Sequence, residues 1–424
     1  MDSSFASFNL REDVLSMASD SMNAIRETFS HIDEIKEYNQ LRVLDAFRKT
    51  KFAEAHLGQT TGYGYDDIGR EKIEELVAMV FGAEAAYVRI QISSGTQAIA
   101  SSLFALLGPG DELLAAGGRP YDTLMTAIGI NKPESEGFRG TLRDYGVTYR
   151  EVDLQPDGTP DIDAIVGAIT EKTKVVFLQK SRGYTDRRSL RADDIALVAT
   201  AVKKVSSDII LFVDNCYGEF VETREPCEVG ADLCAGSLIK NIGGGLCPSG
   251  GYIAGRKDLV ERVAERISAP GLGSHVGPTL GFNRTIAQGV FMAPHTVAEA
   301  LKGAVFAASM LEKIGGKCAP SFDDLRGDIV QSIAFPSAEK MINFCKMIQA
   351  ASPIDSYVSP EPWAMPGYDD DVVMAAGTFV QGASIELSAD GPVKPPYIAY
   401  MQGGLVFEQV KLAIMLAVNT MLEE

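Results

Sequence analysis

The chain has 424 residues, of which 46% are hydrophobic and 23% are charged, and its formal net charge is -18. This composition is typical of a globular protein with a large core, and the length is sufficient for two domains. The acidic balance without clustered Lys and Arg argues against nucleic-acid binding, and the lack of a long apolar run or a signal-peptide pattern predicts a cytoplasmic protein with no membrane partner.

The first fifty residues carry apolar side chains at helical spacing, which predicts an N-terminal helical arm, with bounds placed at residues 1–60. Within the next predicted domain, 61–292, helical stretches alternate with short apolar runs from about residue 68 to 270. These runs predict strands at 86–92, 112–116, 174–178, 209–213, 233–239 and 251–254. Strands that alternate with helices form a mainly parallel sheet covered on both faces. This region is therefore predicted to be a large α/β domain.

The remaining residues, 293–424, show a different pattern. We predict a long helix at 294–314, a strand at 328–334, a helix at 338–351, strands at 372–380, 383–387 and 398–401, and a final helix from residue 405. This order indicates a second, smaller α+β domain. The six cysteines form no CxxC pair and the chain has four histidines, so we expect reduced thiols and no metal site.

Asp214 is the first candidate site residue, because it directly follows the apolar run 209–213. In an open α/β sheet, ligands lie beyond the carboxyl ends of the strands. An aspartate there can pair with the protonated pyridine nitrogen of pyridoxal 5′-phosphate (PLP) and so make the ring an electron sink. The alternative is an aspartate that only caps the following turn.

Lys240 follows the next predicted strand and precedes three consecutive glycines, Gly243, Gly244 and Gly245. Ser237, three residues earlier, is placed for a phosphate, and the glycines would let the backbone approach a ligand closely. The apolar neighbours of Lys240 should lower its proton affinity by desolvation, as an imine-forming amine requires. Alone it would be read as a loop lysine, but together with Asp214 it predicts a PLP site.

Three further segments complete the candidate site. Ser94, Gly95 and Thr96 open a helix after a strand, where free amides and the helix dipole attract an anion. Tyr121 follows the second strand of the sheet and could cover either a flat cofactor or the core. The loop that holds Tyr63 and Tyr65 is rich in glycine and aromatic residues, which suggests a binding loop that reaches a neighbouring subunit.

The chain closely resembles the methionine γ-lyase-like family, also called aluminium resistance proteins, which are relatives of the cystathionine lyases. The likeness runs from about residue 63 to the end. It is carried by VDNCYGEFVE (213–222), GSLIKNIGGGLCPSGGYIAG (236–255) and GPTLGFNRTIAQGVFMAPHTVAEALKGAVFAA (277–308). The resemblance implies the aspartate aminotransferase-like fold of PLP enzymes, fold type I, with active sites shared between the subunits of a homodimer or homotetramer.

The resemblance also implies residue roles. Lys240 would hold PLP as a Schiff base and later take the α-proton of the substrate. Asp214 would pair with the pyridine nitrogen and Tyr121 would stack on the ring. The phosphate would be held by Ser94, Gly95, Thr96 and Ser237, with Tyr63 or Tyr65 lent by the adjacent subunit. The implied reaction is β- or γ-elimination from a sulfur-containing amino acid.

Two positions depart from the family pattern, which has arginine where this chain has Lys180 and Lys394. Arginine grips a carboxylate with two parallel hydrogen bonds and lysine does not. The substrate-binding candidates are therefore Lys394, Arg182 and the nearby Tyr184. An alternative activity on the same fold is γ-replacement or biosynthetic coupling through a vinylglycine-type intermediate from a methionine-derived substrate such as S-adenosylmethionine.

Overall fold

The computed structural model describes residues 3–131, 140–364 and 370–423. The chain divides into two compact units, a larger one of Asn39–Ala293 and a smaller one of Met1–Tyr38 with Pro294–Glu424. Two long helices, α2 (Arg26–Lys49) and α9 (Asn283–Lys313), contribute residues to both units. The division of the sequence into an arm and two domains, at 1–60, 61–292 and 293–424, stays a prediction.

The larger unit is built on a seven-stranded sheet in the order β1-β7-β6-β5-β4-β2-β3. The strands are β1 Ala85–Arg89, β2 Glu112–Ala115, β3 Thr148–Glu151, β4 Thr173–Gln179, β5 Ile210–Asp214, β6 Leu233–Ser237 and β7 Gly251–Gly255. Strands β2 to β6 run parallel, and β7 runs antiparallel to both of its neighbours. The mainly parallel sheet confirms the predicted α/β class.

Helices cover this sheet. They are α3 Ile68–Val80, α4 Gly95–Leu106, α5 Asp122–Ile128, α6 Ile162–Ala168, α7 Ala192–Val205 and α8 Lys257–Ile267. Helices α4 and α8 pack on each other and on the sheet, where Phe177, Phe212 and Ile253 are almost completely buried. Each such side chain contributes roughly 1.5–3 kcal/mol to folding by leaving water. The rigid sheet therefore gives the loops at its carboxyl edge a fixed support.

The smaller unit has an antiparallel sheet in the order β10-β11-β12-β9-β8. Its strands are β8 Lys317–Ala319, β9 Val330–Ala334, β10 Val372–Ala375, β11 Ser388–Pro392 and β12 Ile398–Gln402, and its other helices are α1 Glu12–Ala24, α10 Ala338–Ala350 and α11 Phe407–Glu423. This α+β unit agrees with the predicted smaller domain. Within the described parts of the chain, no helix combines the length and apolarity needed to cross a membrane.

Several elements differ from the sequence-based expectation. The three-residue strand β8 was not predicted, nor was β11, whose Asp390, Gly391 and Pro392 are poor strand formers, and the strand predicted at 372–380 ends at Ala375. Strand β3 was not predicted, because it is an edge strand of exposed and half-buried residues and so has no apolar run. The predicted strand at 383–387 is wrong. There the Glu386 carboxylate accepts hydrogen bonds from the backbone N–H groups of Phe379 and Val380, at 2.8 and 2.9 Å, which folds the stretch into turns. Helix α9 begins before residue 294, since Ile286 and Val290 extend its buried stripe.

Candidate active site

The carboxyl ends of β4, β5 and β6 lie side by side in the larger unit. Gln179 of β4 is in register with Asp214 of β5, which is in turn in register with Ala235 of β6. The chain segments that follow these strands therefore meet at one edge of the sheet, the usual place for a ligand in an open α/β sheet. Asp214 and Lys240 both belong to this edge.

Asp214 is the last residue of β5, and it is 4% exposed. The backbone N–H of Cys216 donates a hydrogen bond to its Oδ1 at 3.0 Å. Burial raises the pKa of Asp214 above its ordinary value, and the charge of Lys240 and the Cys216 N–H oppose that rise. A second positive group placed against this carboxylate would stabilise its ionised form.

Lys240 lies in the loop after β6, where its backbone N–H donates to the Ser237 carbonyl at 3.3 Å. Its Nζ is 3.9 Å from the centroid of the Tyr217 ring. Burial lowers the pKa of Lys240, but Cys216, Tyr217 and Asp214, when ionised, raise it by more, so the net direction is upward. Burial thus lowers the proton affinity of Lys240 as expected, but the acidic groups beside the amine, which the sequence did not reveal, make the net shift upward.

The start of α4 reaches the same edge. The Ser94 Oγ caps the helix by accepting the Gln97 N–H at 3.1 Å. At Gly95 a side chain would stand only 3.1 Å from the Cys216 Sγ and 3.4 Å from the Ser237 Cβ. The glycine thus lets the positive end of α4 lie against Ser237, and the structure brings Ser94, Gly95 and Ser237 together as an anion site requires.

Tyr121 joins this group from the loop before α5. Its hydroxyl donates to the Thr96 Oγ1 at 3.1 Å, and its backbone N–H donates to the Gln179 Oε1 at 2.9 Å. Burial and the negative charge of Asp214 raise the pKa of Tyr121 well above its ordinary value. Tyr121 is therefore a neutral hydrogen-bond donor, fixed between the start of α4 and the end of β4.

The candidate substrate-binding residues are distributed over both units. Arg182 and Tyr184 lie in the loop after β4, where the buried Arg182 donates from Nε to the Arg187 carbonyl at 2.9 Å. Lys394 belongs to the smaller unit, where its exposed amine forms an ion pair with Asp370 at 2.6 Å. Part of the hydrogen-bonding capacity of Arg182 is therefore used by the protein itself, and the amine of Lys394 is reachable from solvent.

Tyr63 and Tyr65 are displayed on the surface of the larger unit. Their side chains are 68% and 56% exposed, and their rings stack with centroids 5.4 Å apart. The loop is held by Arg70, whose guanidinium donates hydrogen bonds to the backbone carbonyls of Gly64 and Gly277 at 2.6 and 2.8 Å. The two rings are therefore accessible at the surface, as the expected contact with a neighbouring subunit requires.

Lys180 is buried, and its amine binds other groups of the protein. Its side chain is 1% exposed, its Nζ lies 3.3 Å from the Glu222 Oε2, and it donates to the Gly218 carbonyl at 3.1 Å. Glu222 also lies 3.6 Å from Arg191. The amine of Lys180 is therefore used in supporting the loop after β5, which carries Asp214.

The glycines after Lys240 also serve the protein backbone. A side chain at Gly243 would overlap the Leu238 carbonyl oxygen, and one at Gly244, whose φ is +56°, would stand 2.5 Å from the Gly289 carbonyl oxygen in α9. The expectation of a close approach to a ligand is wrong for these two positions, since what approaches them is the protein's own main chain.

Three residues at this edge were missed by the sequence reasoning. Gln179 orients Tyr121, Tyr217 lies beside the Lys240 amine, and Glu219 is completely buried with a hydrogen bond from the Tyr252 hydroxyl at 2.9 Å. The signal for Glu219 was present, since an acid stands directly before the apolar pair Phe220-Val221. Within the described residues, no three His, Cys, Asp or Glu side chains converge as metal ligands.

Comparison with known proteins identifies close relatives. Residues 14–422 match the family model described as methionine gamma-lyase. The chain is 52% identical over 393 residues to the uncharacterized protein YnbB of Bacillus subtilis, with 93% of each chain covered.

Solved structures give the same result. A crystal structure from Listeria monocytogenes, described as a candidate cystathionine beta-lyase involved in aluminium resistance, is 48% identical with a TM-score of 0.92 over 95% of this chain and 99% of that one. A carbon–sulfur lyase involved in aluminium resistance from Clostridium novyi is 46% identical with a TM-score of 0.94 over 99% of both chains. At 18% identity, a PLP-dependent protein of Escherichia coli shares the fold, with a TM-score of 0.59. The predicted fold type I is thus confirmed.

Proposed function

The chain belongs to the methionine gamma-lyase family, and on this premise we propose that it is a PLP-dependent carbon–sulfur lyase that acts by β- or γ-elimination on a sulfur-containing amino acid. The observation that carries the proposal is the convergence of Lys240, Asp214, Tyr121 and the start of α4 at one edge of the sheet. The names given to the Listeria and Clostridium relatives support elimination as the reaction.

The donor set fits PLP. Lys240 supplies the amine that would bind it covalently, and buried Asp214 supplies a carboxylate for a positive ring nitrogen. The hydroxyls of Ser94, Thr96 and Ser237 stand with the positive end of α4 and would hold the phosphate. When bound, the cofactor supplies an electron sink for the negative charge left by proton loss at the substrate α-carbon.

Lys240 is the proposed base that takes this proton. The amine must be neutral to act, yet negative charge around it raises its pKa in the structure. Of its acidic neighbours, Cys216 has its own pKa raised well above the ordinary value and stays protonated at neutral pH, which leaves Asp214 as a principal source of negative charge. A positive ring nitrogen paired with Asp214 would cancel that charge and so make Lys240 easier to deprotonate.

We further propose Lys394 as the anchor of the substrate carboxylate, with Arg182 and Tyr184 as the other candidates in the loop after β4. An exposed lysine gives a single point of attraction in place of the bidentate grip of arginine. Tyr63 or Tyr65 is proposed to complete the phosphate site of an adjacent subunit in a homodimer or homotetramer in the cytoplasm. The comparisons give no support to γ-replacement.

The test is to purify the wild-type protein and the variants Lys240→Ala and Lys257→Ala, record their visible absorption, and add L-methionine, L-cystathionine and L-cysteine in turn. We expect a cofactor band and release of keto acid with a sulfur product in the wild type. Both should persist in Lys257→Ala, which changes a lysine that is 70% exposed, and disappear in Lys240→Ala. A Schiff-base absorption band retained in Lys240→Ala before any amino acid is added would overturn the assignment of Lys240, and a wild type that transforms none of these substrates would overturn the proposed reaction.

A further inference from the structure

Glu219 is a buried acid that the proposed reaction does not use. It lies in the loop after β5 and is 0% exposed. The Tyr252 hydroxyl donates to its Oε1 at 2.9 Å, whereas its Oε2 has no hydrogen-bond partner among the described residues. No lysine, arginine or histidine within those residues forms an ion pair with it. The carboxyl group is therefore stabilised by neutral donors, the Tyr252 hydroxyl and the backbone N–H of Glu219 itself, and it has no counter-ion in the described part of the chain.

An ionised carboxylate is unfavourable in such a place. Burying a charge without a hydrogen-bonded partner costs several kcal/mol, and a group in this position keeps its proton instead. The titratable groups around Glu219 are Tyr252 on β7, Cys234 on β6, Cys216 and Glu225 in the segment after β5, and Lys240 after β6. Of these, only Lys240 is a cation. Burial outweighs its effect and raises the pKa of Glu219 to about 8.

Glu219 also contacts the segment that carries Lys240 on both sides of that residue. Its backbone carbonyl accepts a hydrogen bond from the Nδ2 of Asn241, the next residue, at 3.0 Å. Before Lys240, the carboxyl group lies over Gly236 of β6, where a side chain would meet the Glu219 Oε1 at 2.8 Å and the Tyr252 ring at 2.7 Å. The carboxyl group and the tyrosine ring thus fill the space that the glycine leaves in this strand.

We propose that Glu219 is a positioning residue for Lys240. Its carboxyl group packs as a neutral acid against the strand before the lysine without placing a negative charge beside the amine, while its backbone carbonyl holds Asn241 after the lysine. This inference rests on the proposed role of Lys240 in binding the cofactor. Above about pH 8, ionisation of Glu219 would add a buried negative charge near the amine and favour its protonated form. A purely structural acid would have no such link to Lys240.

The first experiment compares the holoenzyme of the wild type with Glu219→Gln, which keeps the shape and the neutral state but cannot ionise. The readout is the pH dependence of the visible absorbance of the bound cofactor. We expect the midpoint of the variant to lie about one pH unit below that of the wild type, the effect of one nearby negative charge. Glu71→Gln, an exposed carboxyl-to-amide change on α3, should match the wild type. Identical midpoints in all three proteins would overturn the proposal.

The second experiment does not depend on the cofactor. Infrared spectroscopy should detect the C=O stretch of a protonated carboxyl group in the wild type at pH 6, lost on titration near pH 8 and absent from Glu219→Gln. Tyr252→Phe removes the hydrogen bond that lowers the pKa of Glu219, so in this variant the loss should occur at a higher pH. A Glu219 that is already ionised at pH 6 would contradict this proposal. The proposed role of Lys240 is tested separately, because its failure would appear as a missing cofactor absorption band.

Discussion

Replacing Lys180 with methionine tests whether this lysine supports the fold or binds substrate. The change removes a cation that is 1% exposed and leaves Glu222, 12% exposed, without its partner at 3.3 Å. Breaking a buried pair on one side costs roughly 3–5 kcal/mol. Glu222 keeps Arg191 at 3.6 Å and the backbone N–H of Ala192 at 3.0 Å, so we expect a value at the low end, about 3 kcal/mol.

The corresponding change in melting temperature is small but measurable. An unfolding entropy of about 2.1 cal/mol/K per residue gives roughly 0.9 kcal/mol/K for this chain, so Tm should fall by about 3 °C. Calorimetry at fixed protein and cofactor concentrations is the assay, since ligand binding itself shifts Tm.

Two further variants test whether the loss of stability is specific to the ion pair of Lys180. Lys257→Met removes an exposed lysine whose contact with Glu261 is 3.9 Å long, and it should leave Tm unchanged. Lys180→Met combined with Glu222→Gln removes both charges and should recover part of the loss. If Lys180→Met kept the wild-type Tm and instead raised KM about tenfold, a loss of roughly 1.4 kcal/mol in binding, Lys180 would bind substrate and its structural assignment would be wrong.

Three other changes address the phosphate site, the carboxylate anchor and Glu219. Gly95→Ala forces a methyl group to within 3.4 Å of the Ser237 Cβ, and we expect PLP affinity, measured by titration of the apoenzyme, to fall about tenfold; an unchanged affinity would place the phosphate elsewhere. Lys394→Ala should raise KM about tenfold with kcat and Tm nearly unchanged, because its pair with Asp370 is exposed; an unchanged KM would exclude it as the anchor. Since the pKa of Glu219 in the folded protein, about 8, lies above its ordinary value of 4.5, the folded state binds more protons than the unfolded state between these limits, and stability falls as pH rises. Urea unfolding at pH 6 and pH 8 should therefore show a decline that is shallower in Glu219→Gln by about 2 kcal/mol, and equal declines would contradict the raised pKa.

The sequence predicted the parts of the fold that carry a strong apolar signal. Strands β5 and β6 are continuous runs of buried residues and β4 is buried from Val175 onward, and such runs are typical of a parallel sheet covered on both faces. Strand β3 was not predicted, because an edge strand is not buried on both faces and its residues need not be apolar. Pro294 hid the true start of α9, since a proline usually opens a helix and here lies within one.

The candidate site was predicted where residue type alone restricts the chemistry. Asp214 ends β5 and Lys240 follows the end of β6 by three residues. Both positions, and the distance between them along the chain, can be read from the sequence without a structure. Gln179 and Tyr217 could not be found in this way, because a glutamine that receives a backbone N–H and a tyrosine beside an amine acquire their roles only when separate loops meet. The net direction of the pKa shift of Lys240 could not be predicted for the same reason, since its acidic neighbours come from other segments.

The contact between Gly243, Gly244 and Gly289 affects how the active-site region can change over evolutionary time. Main chain meets main chain there, and a methyl group on any of the three residues would stand within about 2.5 Å of a carbonyl oxygen or overlap it. No rotamer change can relieve such a clash, because there is no side chain to move. A saturation library should therefore show these positions to be as intolerant as Lys240, although none of them takes part in the chemistry. Positions near this lysine can therefore be intolerant of substitution because of backbone packing, and not only because of catalysis.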